Sequence, residues 1–99
     1  MRLPLILREE AELDLLDAAR WYEERVSGLG AEFINSVDDC LEAISRTPEI
    51  YPVVHRRARM ALLRRFPYLV IYRILPECIS VVAVMHGSRH PRRWKSRAD

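Results

Sequence analysis

Thirteen residues carry most of the chemistry available to this 99-residue chain. Seven close the sequence: His86, Arg89, His90, Arg92, Arg93, Trp94 and Lys95. Six arginines precede them: Arg56, Arg57, Arg59, Arg64, Arg65 and Arg73. Arginine and lysine hold phosphates, and an aromatic ring stacks on an unpaired base. A histidine that titrates near neutrality moves protons, and arginine stabilises charge in a phosphoryl transition state. The set therefore allows two readings, a docking surface for an acidic partner or an RNA-cleaving site. For cleavage, His86, Arg89 and Trp94 would serve proton transfer, phosphate contact and base stacking. A contact surface would draw on Arg59, Arg65, Arg73, Arg89, Arg93 and Trp94.

Other chemistries find little support. His86 and His90 have the spacing of a helical metal pair, but Gly87 lies between them and no third ligand is near in sequence, so no metal site is expected. Ser88 beside His86 lacks an acid to orient the imidazole. No glycine-rich phosphate loop is present, and no cofactor is expected. Cys40 and Cys78 have neither metal nor redox spacing and are expected as free thiols. The acids of the helical half fall on polar helix faces, the pattern of solvated residues rather than of acid–base pairs.

Charge divides the chain in two. Residues 1–50 hold 5 Arg and 12 acids, a net of −7, whereas residues 51–99 hold 11 Lys or Arg and 2 acids, a net of +9. Either the second half presents a basic surface to an acidic partner, or an acidic helical layer faces a basic sheet within the molecule. No apolar run approaches the ~20 residues of a membrane span, and the opening segment is too short for a signal peptide. A cytoplasmic protein with one domain over residues 1–99 is expected.

Hydrophobic periodicity supplies the elements that must position these groups. Leu3–Leu7 reads as a short strand, with Pro4 at its start or edge. Ala11, Leu15, Ala18, Tyr22 and Val26 recur at helical spacing and predict a helix over 9–26. Ser27-Gly28-Leu29-Gly30 breaks it. Ile34, Val37, Leu41 and Ile44 predict a second helix over 31–47, closed by Pro48. The short break predicts an antiparallel helical hairpin. Residues 49–57 read as a connection and 58–64 as a weaker strand. Tyr68–Leu75 and Ile79–His86 are rich in β-branched and aromatic residues and flank Pro76-Glu77, which predicts a hairpin.

A turn centred on Pro76-Glu77 pairs Tyr72 with Val81, Val70 with Ala83 and Tyr68 with Met85. One face then holds Tyr68, Val70, Tyr72, Ile74, Ile79, Val81, Ala83 and Met85. The other holds Leu69, Ile71, Arg73, Leu75, Ser80, Val82, Val84 and His86. Two helices cover only one face. Leaving Leu69, Ile71, Val82 and Val84 wet would forgo several kcal/mol, at about 1.5–3 kcal/mol per large aliphatic side chain. Either the C-terminal tail covers them with Trp94 as a lid, or a partner segment does.

Strand, two helices and a run of strands form a recognisable order. Within it stand Leu29-Gly30-x-x-Phe33, Pro48, Arg65-Phe66-Pro67-Tyr68-x-Val70-x-Tyr72, and Ile79-x-Val81-x-Ala83-Val84-x-His86-x-x-Arg89-x-Pro91-x-x-Trp94. Together these resemble the RelE/ParE superfamily of bacterial type II toxin–antitoxin toxins, often called plasmid stabilisation proteins. The resemblance implies an α+β fold of order β-α-α-β-β-β, a small antiparallel sheet with a helical hairpin on one face. It also implies a cognate antitoxin, bound here at Leu69, Ile71, Val82 and Val84, and a toxin–antitoxin hetero-oligomer. RelE-like members cleave mRNA in the ribosome, and ParE-like members poison DNA gyrase. Leu69 stands where RelE-like ribonucleases carry a key arginine, which favours the ParE-like branch. The alternatives are a ribosome-dependent endoribonuclease and a non-toxic member that only binds antitoxin.

Overall fold

A computed structural model describes residues 2–98. The elements are β1 (Leu5–Leu7), α1 (Glu9–Arg25), α2 (Leu29–Arg46), a 3-10 turn (Pro48–Ile50), β2 (Val53–His55), β3 (Ala58–Leu62), β4 (Tyr68–Ile74), β5 (Ile79–His86) and α3 (Arg92–Ala98). The strands form one sheet in the order β1-β5-β4-β3-β2. The α+β order and the helical hairpin are those expected. Three features add to it: β1 joins the sheet parallel to β5, β2 occupies part of the expected connection, and the C-terminal basic tail folds as α3.

The helical hairpin turns on a single carboxylate. Glu23 accepts hydrogen bonds from the backbone N–H of Gly28, at 3.0 and 3.1 Å to its two oxygens, and of Gly30 at 3.0 Å. These are the free amides that open α2. Gly28 takes a φ of 90°, open to glycine at no steric cost. A Cβ at residue 30 would stand 2.7 Å from the Ala19 carbonyl oxygen, so the helices approach closely only because Gly30 has no side chain. Beneath this contact Phe33, Val37 and Ile44 pack with Ala11, Ala18, Val70, Tyr72 and Val81. Tyr72 is fully buried and donates its hydroxyl to the Pro48 carbonyl at 2.6 Å, tying the sheet to the end of α2.

The central hairpin departs from simple alternation. Ile74↔Ile79 and Tyr72↔Val81 keep the expected register, but Ile71 then pairs with Ala83 and Val70 with Val84. Val82 is the extra residue of a β-bulge, which shifts every later side chain of β5 to the opposite face. Ala83 and Met85 therefore join the second face, and Val84 joins the helix-side core. His86 moves with Val84 and sits opposite Tyr68.

The second face has a cover within the chain. Leu69, Ile71, Val82, Ala83 and Met85 pack with Trp94 and Ala98 of α3. An ion pair pins α3 there. Arg97 donates to Asp14 at 2.7 Å and to the Val82 carbonyl at 3.2 Å, while Asp14 accepts from the Val84 N–H at 3.1 Å. Past the Leu7↔Val81 pair β1 no longer covers the β5 edge, and Arg97 and Asp14 satisfy its Val82 carbonyl and Val84 amide from opposite ends of the chain. Buried backbone groups need such partners.

Candidate functional site

Where β5 ends, the chain turns through 87–91 and enters α3. The turn is built on His86: its Nδ1 accepts from the Ser88 N–H at 3.0 Å and lies 2.8 Å from Ser88 Oγ, and its carbonyl accepts from the Arg89 N–H at 3.0 Å. His90 Nδ1 accepts from the Arg92 N–H at 3.2 Å, serving one free amide at the start of α3. The tail therefore stands as a wall facing α1, with an open cleft between them. Trp21 and Asp17 line the α1 side, Tyr68 and His86 the floor, and Arg89 and Arg93 the tail side.

The bulge is what brings His86 into this cleft, edge-on to Tyr68 at 5.3 Å between ring centroids. Burial raises the pKa of the Tyr68 hydroxyl, nearby Tyr22 adds to the rise, and Arg89 partly offsets it. Trp21 is half exposed at 50% and carries the Arg25 guanidinium 3.7 Å from its ring centre. Arg89 and Arg93 are exposed and have no ion-pair partner among the described residues. The cleft thus combines free cations on one wall with an aromatic platform on the other, which suits binding an anionic or mixed surface. Among the described residues no carboxylate hydrogen-bonds the imidazole, so His86 and Ser88 lack the orienting acid that a nucleophilic dyad needs.

Only some of the residues expected to act together meet in the cleft. His86, Arg89 and Arg93 do. Trp94 does not: it is 7% exposed and locked in the second-face core, so it is a lid and not a base-stacking ring. Arg59 is a structural tie, donating to the carbonyls of Glu49 and Tyr51 at 3.0 and 2.7 Å. Arg65 lies beyond β3 and pairs with Glu32 at 2.8 Å. Arg73 faces Ser80 at the far end of the hairpin. It is five residues from Tyr68, about 17 Å along the strand.

The expected antitoxin contacts are also placed differently. Leu69, Ile71 and Val82 lie under α3, and the bulge puts Val84 on the helix side, so the four do not form an open face. Trp21, Asp14 and Arg97 are the residues that sequence reasoning missed. Trp21 had a signal, since it falls on the polar face of α1 where a large aromatic is out of place. Asp14 and Arg97 had none, being 83 residues apart.

No group of three or more potential metal ligands occurs among the described residues. None of their helices is long and apolar enough to cross a membrane.

The family model described as the ParE toxin of the type II toxin–antitoxin system parDE matches residues 5–91. Toxin ParE2 of Mycobacterium tuberculosis, in strains CDC 1551 and H37Rv, is 31% identical over 81 residues, 81% of this chain and 77% of the relative. Among solved structures, a chain of the chromosomal ParDE toxin–antitoxin system from P. aeruginosa superposes with a TM-score of 0.62 at 19% identity, covering 86% of this chain and 96% of that one.

Proposed function

The chain belongs to the ParE toxin family of type II toxin–antitoxin systems, and from that premise we propose that it arrests growth by docking on DNA gyrase and is neutralised by a cognate antitoxin. The observation that carries the docking half is the cleft between α1 and the tail. Its exposed Arg89 and Arg93 face the half-exposed Trp21, and among the described residues no carboxylate hydrogen-bonds His86 there. The three residues of a ribonuclease reading are separated, with His86 and Arg89 in the cleft and Trp94 in the core beneath the opposite sheet face. Binding is therefore the reading the geometry supports, and Leu69 in place of an arginine agrees with it.

Induction of the chain in a host cell tests the proposal. Growth should stop, a DNA-damage reporter should rise, and co-expression of the antitoxin encoded beside it should restore growth. Codon-phased cuts in translated mRNA, with no damage response, would refute the gyrase target.

A further inference from the structure

Arg8 and Arg73 lie on either side of Ser80 on the second sheet face. Arg73 is paired with Ser80 across β4 and β5. Side chains at paired positions rise from the same face with Cβ atoms about 5 Å apart. Ile6 of β1 is paired with Ser80 from the other side. Arg8 follows two residues later, and its Nε–H donates to Ser80 Oγ at 2.8 Å. Ser80 is 5% exposed. Arg8 therefore binds the buried hydroxyl of the residue that Arg73 faces across the strand pair.

Arg73 Nε is buried and has no hydrogen-bond partner among the described residues. A buried donor without an acceptor is uncommon in a folded protein, and a charged one is the least tolerated. Three other arginines meet carboxylates: Arg2 meets Glu42, Arg65 meets Glu32, and Arg97 meets Glu10 and Asp14. Neither Arg8 nor Arg73 has a carboxylate within ion-pair reach among the described residues. This pair is a cationic site that the chain builds and leaves without an anion of its own.

We propose that Arg8 and Arg73 form the seat for a carboxylate side chain on the antitoxin. The inference rests on the antitoxin partnership proposed above and names the chemistry of its contact. Arg8 Nε is held by Ser80 and Arg73 Nε is buried, so the outer nitrogens of the two guanidinium groups are left to meet the oxygens of a carboxylate. The surroundings select a protein over a nucleic acid. A nucleic-acid strand calls for a row of cations that tracks its phosphates, whereas Arg8 and Arg73 are a single pair on either side of Ser80. Beside them Ile6 is 52% exposed and shares the face of Ser80. The site therefore fits a segment that carries an acid next to an apolar side chain, the acid between the arginines and the apolar group on Ile6. It stands about 17 Å along the strands from the Tyr68 end, so it is distinct from the cleft assigned to the target.

Titration calorimetry of the full chain with the full-length antitoxin encoded beside it tests this. Arg8→Gln and Arg73→Gln should each weaken binding about tenfold, the scale of one charge-assisted hydrogen bond. Raising the salt concentration should narrow both differences. Wild-type and variant chains that bind the antitoxin within twofold of one another would overturn the site and leave the antitoxin partnership standing. A wild-type chain that does not bind would overturn both. Variants that keep antitoxin affinity but lose binding to a short DNA duplex would assign the pair to phosphate and equally overturn it. Arg8 is exposed, so Arg8→Gln supports or overturns the site even where Arg73→Gln unfolds the chain.

Discussion

The two tryptophans show how far residue type alone can mislead. Both are aromatic rings beside arginines, but Trp94 is 7% exposed and Trp21 is 50% exposed. Truncating Trp94 opens a cavity under α3, and Trp94→Ala should cost about 3–5 kcal/mol in urea unfolding. Trp21→Ala removes a half-exposed ring and a cation–π contact worth about 0.5–1 kcal/mol, so stability should fall by no more than about 1 kcal/mol while growth arrest weakens. Equal stability losses for the two would contradict this placement. Burial pushes the Cys40 thiol up to about 11, which leaves almost no thiolate at neutral pH. Cys40 should therefore alkylate far more slowly with iodoacetamide than a free cysteine does, and a rate equal to that of free cysteine would count against its packing. The histidine, the arginines and their order along the chain were legible in the sequence. Which of them meet was not, because exposure depends on neighbours remote in sequence.

At the scale of elements, three devices decide what the site looks like: the Glu23 turn, the Val82 bulge and the α3 lid. The backbone amides of Gly28 and then Gly30 hold the Glu23 carboxyl below its ordinary value of 4.5. A carboxyl whose folded pKa is depressed contributes stability above its unfolded pKa and loses it as pH falls through the folded value. Wild-type stability should therefore drop more steeply below pH 4.5 than that of Glu23→Gln, as measured by melting temperature across an acid series; parallel curves would remove Glu23 from this role. Asp14 and Arg97 are mostly buried, with side chains 17% and 19% exposed. Breaking a fully buried ion pair costs about 3–5 kcal/mol, and this partly exposed one should cost about 2–3 kcal/mol. Arg97→Met should therefore loosen α3 and expose Trp94, seen as a red-shifted emission in a Trp21→Phe background. The helical hairpin was legible, since Gly28, Gly30 and Pro48 punctuate two periodic runs. The bulge was not, because Ile79–Met85 is buried at every position and offers no polar alternation to mark a register change. Nor was α3, whose apolar residues on the sheet number only Trp94 and Ala98.

Over the whole molecule, the split between an acidic first half and a basic second half becomes two separate basic regions. Part of the basic charge is spent internally, at Arg59, Arg65 and Arg97. Arg89 and Arg93 line the cleft without an ion-pair partner among the described residues, and Arg73 lies near Arg8 of the first half at the opposite end of the sheet. Of the two arrangements the charge split allowed, an outward basic surface and an internal match, each is realised in part, with the cleft proposed for the target at one end and the seat proposed for an antitoxin carboxylate at the other. The most direct test of the target cleft is a gyrase supercoiling assay with purified wild-type chain and an Arg89→Ala/Arg93→Ala double variant, both checked for folding. The wild type should inhibit supercoiling and trap cleaved DNA, and the double variant should require at least about tenfold more protein, as loss of two charged contacts implies. Normal supercoiling at saturating wild-type protein, or inhibition that the double variant reproduces at the same concentration, would contradict it.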